Sequence, residues 1–266
     1  MPRLSAITTC KGRLEHLKET LPALMADPEL EVVVVDYDDP DGAGDWVRAN
    51  HPDARVVAVA DRPFFNRSEA KNLGAAAASG DWLFFIDADV HVGAGLTQGV
   101  QALLRPRVFL LPDPRPADLW GVLIVARADF EAAGGYDEAM EDYGSEDVDV
   151  LARLMIAGLA EVGFPSEGLV AIAHDHALRT RFHRVANLDL SASINGFYLT
   201  AKNDLLRQGV VLDLEARRKL YADVARTFSA PGGLQSFQIG FRQTQVPHLT
   251  VTASLRYDFT PPKPGQ

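Results

Sequence analysis

Asp81-Trp82-Leu83-Phe84-Phe85-Ile86-Asp87-Ala88-Asp89 decides how this chain is read. The apolar run Trp82–Ile86 is short and rich in aromatics, so it reads as a buried strand. It ends abruptly in two carboxylates one residue apart. In a strand, residues i and i+2 face the same side. If the extended conformation persists, Asp87 and Asp89 present their oxygens together at the strand's C-terminal end. That end is where ligands bind in open α/β sheets. Two adjacent carboxylates repel each other unless a cation sits between them. Hard oxygen donors of this kind suit Mg2+ or Mn2+. The alternative is a plain polar loop after a core strand, and Asp-x-Asp by itself does not separate the two.

Composition narrows the classes. The 266 residues are 47% hydrophobic and 23% charged, as in an ordinary globular protein of one domain or one domain plus an appendage. The net charge of −10 argues against a general partner among nucleic acids or anionic membranes. No apolar segment is long enough to span a bilayer, and Leu4–Cys10 is too short for a signal peptide. One cysteine, Cys10, excludes an intrachain disulfide and fits a reducing compartment, so the expected location is cytoplasmic.

Outward from the key stretch, strands and helices alternate. Leu4–Thr9 opens the sheet and runs into Cys10-Lys11-Gly12-Arg13. Leu14, Leu17, Leu21 and Leu24 follow at helical spacing, with Pro22 expected to kink or shorten that helix. Glu31–Asp36 is a valine-rich strand ending in a turn, and Arg55–Ala60 is a third strand. Asn66 reads as a helix cap with Glu69 as its acidic partner. The helix behind it carries the small residues Ala75–Ala78. This alternation predicts right-handed βαβ units, an α/β fold and a mostly parallel sheet.

The proline-rich stretch Pro112–Pro116 is the expected boundary between two halves, 1–112 and 117–206. Trp120–Ala126 reads as a strand and Asp129–Ala133 as a short helix ended by Gly134-Gly135. A dense run of carboxylates follows from Asp137 to Asp149. Acidic residues at a helix N-terminus are routine and account for one or two of them. Leu169–Ala173 delivers His174-Asp175-His176, a pair of histidines suited to metal ligation. Arg179, Arg181, His183 and Arg184 form a basic cluster, either a solvated surface or a lid that neutralises phosphate. Residues 207–266 form an extension, with a helix at Leu214–Phe228 and an alternating pattern over Gln238–Phe259 that predicts a hairpin. Copies of the chain could associate through it.

In this order the motifs resemble a GT-A glycosyltransferase, of the inverting family 2 and the related lactosamine-building galactosyltransferases. The resemblance spans about Leu4 to Lys202. Cys10–Leu17 resembles the arginine-bearing loop over the donor diphosphate. Phe65-Asn66-Arg67 resembles the nucleoside contact, and Asp87-Ala88-Asp89 the metal-binding Asp-x-Asp. Gly134-Gly135-Tyr136-Asp137 with Tyr143-Gly144-Ser145-Glu146-Asp147 is similar to the acceptor loop that ends in the catalytic carboxylates. The lactosamine enzymes carry tryptophans where this chain has Tyr143, so acceptor identity does not transfer.

The resemblance implies a nucleoside-diphosphate sugar donor, of the UDP type, and a carbohydrate or other hydroxyl acceptor. It implies donor contacts at Thr9, Lys11, Arg13, Asp36, Phe65, Arg67 and Asp87. It implies Mn2+ (or Mg2+) on Asp87, Asp89 and His174, with Asp147 as base and Glu146 orienting the acceptor. Asp36 either accepts from a uracil N–H or is a turn residue. Three rivals remain: a retaining enzyme on the same fold, a sugar nucleotidyltransferase, and a non-catalytic nucleotide-sugar module. The second would be expected to carry a glycine-rich Arg-Lys loop after the first strand, which Cys10–Arg13 is not.

Overall fold

The structure, a computed structural model, describes residues 3–173, 178, 180–230, 236–246 and 249–259. It divides into two compact units. The first comprises Met1–Asp142 and Glu146–Ala186, the second Tyr143–Ser145 and Asn187–Gln266.

The first unit is built on a seven-stranded sheet in the order β3-β2-β1-β4-β7-β6-β8. Its strands are β1 (Leu4–Cys10), β2 (Leu30–Tyr37), β3 (Arg55–Val59), β4 (Trp82–Phe85), β6 (Val108–Asp113), β7 (Leu123–Ala126) and β8 (Ala160–Pro165). Every pairing is parallel except those of β7, which runs against β4 and β6. The two sides of the proline-rich stretch at 112–116 thus share one sheet. β8 has no counterpart in the sequence reading, because its exposed alternation Ala160-Glu161-Val162 carries a weak apolar signal.

From β1 the chain winds outward to β2 and β3, then returns to place β4 on the other side of β1. The reversal lies between β1 and β4, and a crevice for ligands opens at the C-terminal ends of strands flanking such a point. Register aligns Ile7 with Phe85, so the loops after Cys10 and after Phe85 emerge side by side. Core residues such as Ile7, Val33, Phe84, Phe85, Phe109 and Ile124 are fully buried, which fixes the register through the pleat.

Helices α1 (Leu14–Met25), α2 (Ala43–Asn50), α3 (Arg67–Ala77), α4 (Leu96–Gln101), α5 (Arg127–Ala132) and α6 (Glu146–Ile156) flank this sheet. Helix α1 continues through Pro22 instead of stopping there. The side chain is exposed, so the helix loses only one hydrogen bond, and Leu17, Leu21 and Leu24 keep their buried face. Asn66 caps α3 by accepting from Glu69 N–H at 2.9 Å, as its sequence position predicts. A small two-stranded sheet pairs β5 (Val90–Val92) with β9 (Leu169–Ala171).

The second unit contains α7 (Leu188–Arg207), α8 (Leu214–Phe228) and the antiparallel hairpin of β10 (Ser236–Val246) and β11 (Leu249–Asp258). Exposure alternates from Thr252 to Asp258, as a half-covered strand requires. Phe197 on α7 meets the rings of Phe228, Phe237, Tyr257 and Phe259 at 5.0–5.5 Å, which ties hairpin to helices. Among the described residues, no helix is long and apolar enough to cross a membrane.

Candidate active site

Strand β4 ends at Phe85, and the chain turns at Asp87–Val90, where Val90 N–H donates to the Asp87 carbonyl at 3.1 Å. The extended conformation therefore does not persist to Asp89; a turn, rather than strand alternation, presents the two carboxylates. The Asp87 carboxylate packs directly on the Cα of Gly121, and any side chain there would collide with it. Asp89 lies 3.5 Å from Arg13 Nη1. Arg13 also approaches His16 Nδ1 at 3.3 Å. The glycine cradle leaves the Asp87 oxygens room, and a pair of hard carboxylates on one turn fits a divalent cation. His174, the third expected ligand, lies outside the described residues.

The residues expected to meet a donor lie at the ends of β1 and β2 and at the start of α3. Thr9 pairs with Val35, and Cys10 with Asp36. Buried Lys11 donates to the carbonyls of Tyr37 and Asp38 at 3.2 and 2.6 Å, so it braces the loop after β2. Asp36 accepts from Asp39 N–H at 3.0 Å and packs against Gly44, which makes it a turn residue on one of its oxygens. Gly12 has φ +66° and touches Phe182, so a side chain at that position would be both strained and blocked. Phe65 N–H in turn donates to the Phe182 carbonyl at 2.9 Å. Tyr37 lies 5.5 Å from Phe65, and its hydroxyl bonds Glu69, which also holds Arg62 at 2.9 Å.

One edge of α3 carries the loop that leads to Glu146 and Asp147. Asn66 Nδ2 donates to the Glu138 carbonyl at 3.0 Å, and Arg67 bonds the Asp142 carbonyl. Asn72 exchanges bonds with the Tyr136 backbone at 3.0 and 2.8 Å. Gly135, at φ +65°, lets the loop come this close, since a Cβ there would meet Asn72 Oδ1 at 2.7 Å. Lys71 Nζ, 4% exposed at its side chain, reaches Asp147 Oδ1 at 3.0 Å. Its ammonium also sits 4.8 Å from the Tyr136 ring centre.

Behind this pair stands an aromatic wall. Tyr136 packs on Phe85 and Phe130 at 5.3 and 5.8 Å, and its buried hydroxyl has no partner among the described residues. Burial in these surroundings pushes the Asp147 carboxyl up to about 6, although Lys71 pulls it down; Glu146 and Asp87 push it further up. Lys71 is held well above the ordinary lysine range: burial opposes its charge, but Asp147, Tyr136, Asp87 and Glu146 outweigh that. Burial likewise raises Tyr136. Arg67 lies 4.0 Å from Glu146. Asp149, by contrast, is 1% exposed and paired with Arg153 at 2.8 Å, a structural contact within α6.

The structure thus brings Asp147, Glu146, Lys71, Arg67 and Asp87 into one electrostatic neighbourhood. Lys71 and Gly121 escaped the sequence reading as site residues, and Tyr136 entered it only as part of the loop motif. A signal for Lys71 existed: Lys71, Gly74, Ala75 and Ala78 share one face at helical spacing, and a lysine on an otherwise small, buried face needs a counter-charge.

The glycosyl transferase family 2 sequence model matches residues 5–108, and the model described as the N-terminal domain of galactosyltransferase matches residues 116–177. The chain is a family 2-like glycosyltransferase of the GT-A type. Among solved structures, it is similar to the mannosyltransferase PcManGT from Pyrobaculum calidifontis, solved with GDP-Man and Mn2+. That match has 21% identity and a TM-score of 0.58, and covers 85% of this chain and 74% of the other. TarS 1-349 from S. aureus, in complex with UDP, matches at 15% identity and TM-score 0.55 over 86% and 72%. GalNAc-T7 with UDP, GalNAc and Mn2+ matches at 13% and 0.59 over 84% and 54%. At these identities the likeness to solved structures is one of fold. No curated protein matches the chain in sequence.

Proposed function

We propose that this glycosyltransferase moves a sugar from a nucleoside-diphosphate donor to an acceptor hydroxyl by direct, inverting displacement, with Asp147 as the base. The observation that carries the reading is the Lys71–Asp147 pair at 3.0 Å, set in the same field as Asp87. A general base works best when its pKa lies near the operating pH, and burial, with Glu146 and Asp87 nearby, brings the Asp147 carboxyl there. Asp147 keeps 18% of its side chain exposed, enough for an acceptor hydroxyl to reach it. Glu146, braced by Arg67, orients that acceptor.

Asp87 and Asp89, with His174, would hold Mn2+ or Mg2+, which when bound neutralises charge on the departing diphosphate. Arg13, beside Asp89, contributes a positive charge to the same diphosphate, with Lys11 shaping the loop beneath it. Thr9, Asp36, Phe65 and Arg67 border the nucleoside. The related structures hold UDP in two cases and GDP-mannose in another, and we take a UDP-sugar as the first donor to try.

The test is donor turnover by purified protein. UDP- and GDP-sugars are incubated with Mn2+ and with EDTA, and release of the nucleoside diphosphate is measured. The expected result is Mn2+-dependent release that accelerates with a sugar acceptor and gives an inverted anomeric product. Equal rates in EDTA would refute the metal assignment; a retained anomer would refute direct displacement.

A further inference from the structure

Arg115 and Trp120 take no part in the site as described so far, yet they border it. Arg115 lies on the loop after β6, between Pro114 and Pro116, whose fixed φ angles stiffen that segment. Its guanidinium stacks 4.4 Å from the Trp120 ring centre, and Nη2 donates to the Trp120 carbonyl at 2.6 Å. Nε is buried and has no hydrogen-bond partner among the described residues. Arg62, Arg127 and Arg153 each sit within ion-pair distance of a carboxylate; Arg115 has no such partner among the described residues. Trp120 is 45% exposed, and the next residue, Gly121, touches the Asp87 carboxylate.

We propose that Arg115 and Trp120 form a subsite for an anionic sugar, one carrying a carboxylate or phosphate group. The proposal rests on the sugar-transfer reading above and names a substrate class for it. An exposed indole offers an apolar face to the C–H side of a pyranose. A guanidinium already fixed by stacking and by the Nη2 bond keeps the planar Nη1–Nη2 edge, not the buried Nε, to meet a carboxylate or phosphate. A half-buried cation with no carboxylate partner among the described residues is costly to leave alone, and an anionic ligand at its outer Nη edge would relieve that cost. Burial lowers Arg115, and the carboxylates that act on it, Asp147 and Glu161, are not paired with it. In a chain of net charge −10, an anion needs such a local cation to approach the catalytic carboxylates at all.

The acid could reside on the acceptor or on the donor sugar, and two arms separate them. With the protein saturated in Mn2+ and UDP, titration calorimetry compares methyl β-D-glucuronide with methyl β-D-glucoside. In parallel, UDP-glucuronate is compared with UDP-glucose in Mn2+ alone. The proposal predicts a preference for the acid of about tenfold or more in one arm, as a charge-assisted pair gives. That preference disappears in Arg115→Gln and shrinks in Arg115→Lys, which keeps the charge but loses the fork. If Mn2+–UDP binds and neither arm favours the acid, or if Arg115→Gln keeps the preference, the subsite is refuted while the sugar-transfer reading stands. If Mn2+–UDP does not bind, both fall.

Discussion

The two carboxylate groups of the site are built in opposite ways. Asp87 and Asp89 stand on an open turn after β4, beside Gly121 and Arg13, and among the described residues no basic side chain lies within ion-pair distance of Asp87. Asp147 stands on the first turn of α6, joined at 3.0 Å to a buried lysine whose ammonium sits over the Tyr136 ring. Two carboxylates that share one internal cation, Arg13 beside Asp89, are left with negative charge suited to an external one. A carboxylate that carries its own buried cation needs none and is instead tuned for proton transfer. Role therefore follows from the local supply of positive charge, not from the residue type.

Several experiments break or sharpen this contrast. The largest effect falls on the open turn. Asp89→Asn should abolish Mn2+-dependent nucleotide binding in calorimetry, because a neutral amide is a poor ligand for a hard cation. Gly121→Ala, which pushes the Asp87 carboxylate aside, should weaken the same binding in the same direction while the fold is kept. Unchanged Mn2+-dependent affinity in both would remove the metal from the turn.

Next comes the enclosed pair. Lys71→Met leaves Asp147 buried without its cation, and chemical denaturation should register a loss of up to about 3–5 kcal/mol. A wild-type denaturation midpoint would mean that Lys71 and Asp147 are not coupled in solution.

The smallest effect is one of pH. The folded Asp147 carboxyl, at about 6, lies above its ordinary 3.8, so stability falls as pH rises from 3.8 to about 6, where the unfolded chain ionises and the folded one does not, and the proposed base becomes ionised as pH passes about 6. The acidic limb of kcat/KM should bend near pH 6. In Lys71→Met, without the cation that pulls Asp147 down, the bend should move to higher pH. A limb that stays put in that variant would assign it to another group.

How much of this was legible beforehand differs between the same two places. The apolar run before Asp87 and the cap at Asn66 are local signals, and the structure places the β4 strand and the start of α3 where those signals put them. The order of motifs was likewise enough for the α/β architecture. What was not legible depends on residues far apart in sequence. Asp147 meets Lys71 across 76 positions, and Gly121 meets Asp87 across the β4–β7 pairing. The expected strand Trp120–Ala126 begins only at Leu123, which frees Trp120 for the surface; the turn geometry of 117–122 overrides its apolar composition.

The most direct measurement compares Asp147→Asn with Asp149→Asn, reading turnover with saturating acceptor beside melting temperature. Both residues lie in the first turn of α6, so a generic effect on the helix N-terminus would strike them alike. If Asp147 is the base, Asp147→Asn lowers turnover by about 10²- to 10⁴-fold and leaves donor binding intact. Asp149→Asn, which breaks the contact with Arg153, instead costs about 1.5–3 kcal/mol of stability and retains turnover. Wild-type turnover in Asp147→Asn would contradict the account at its centre.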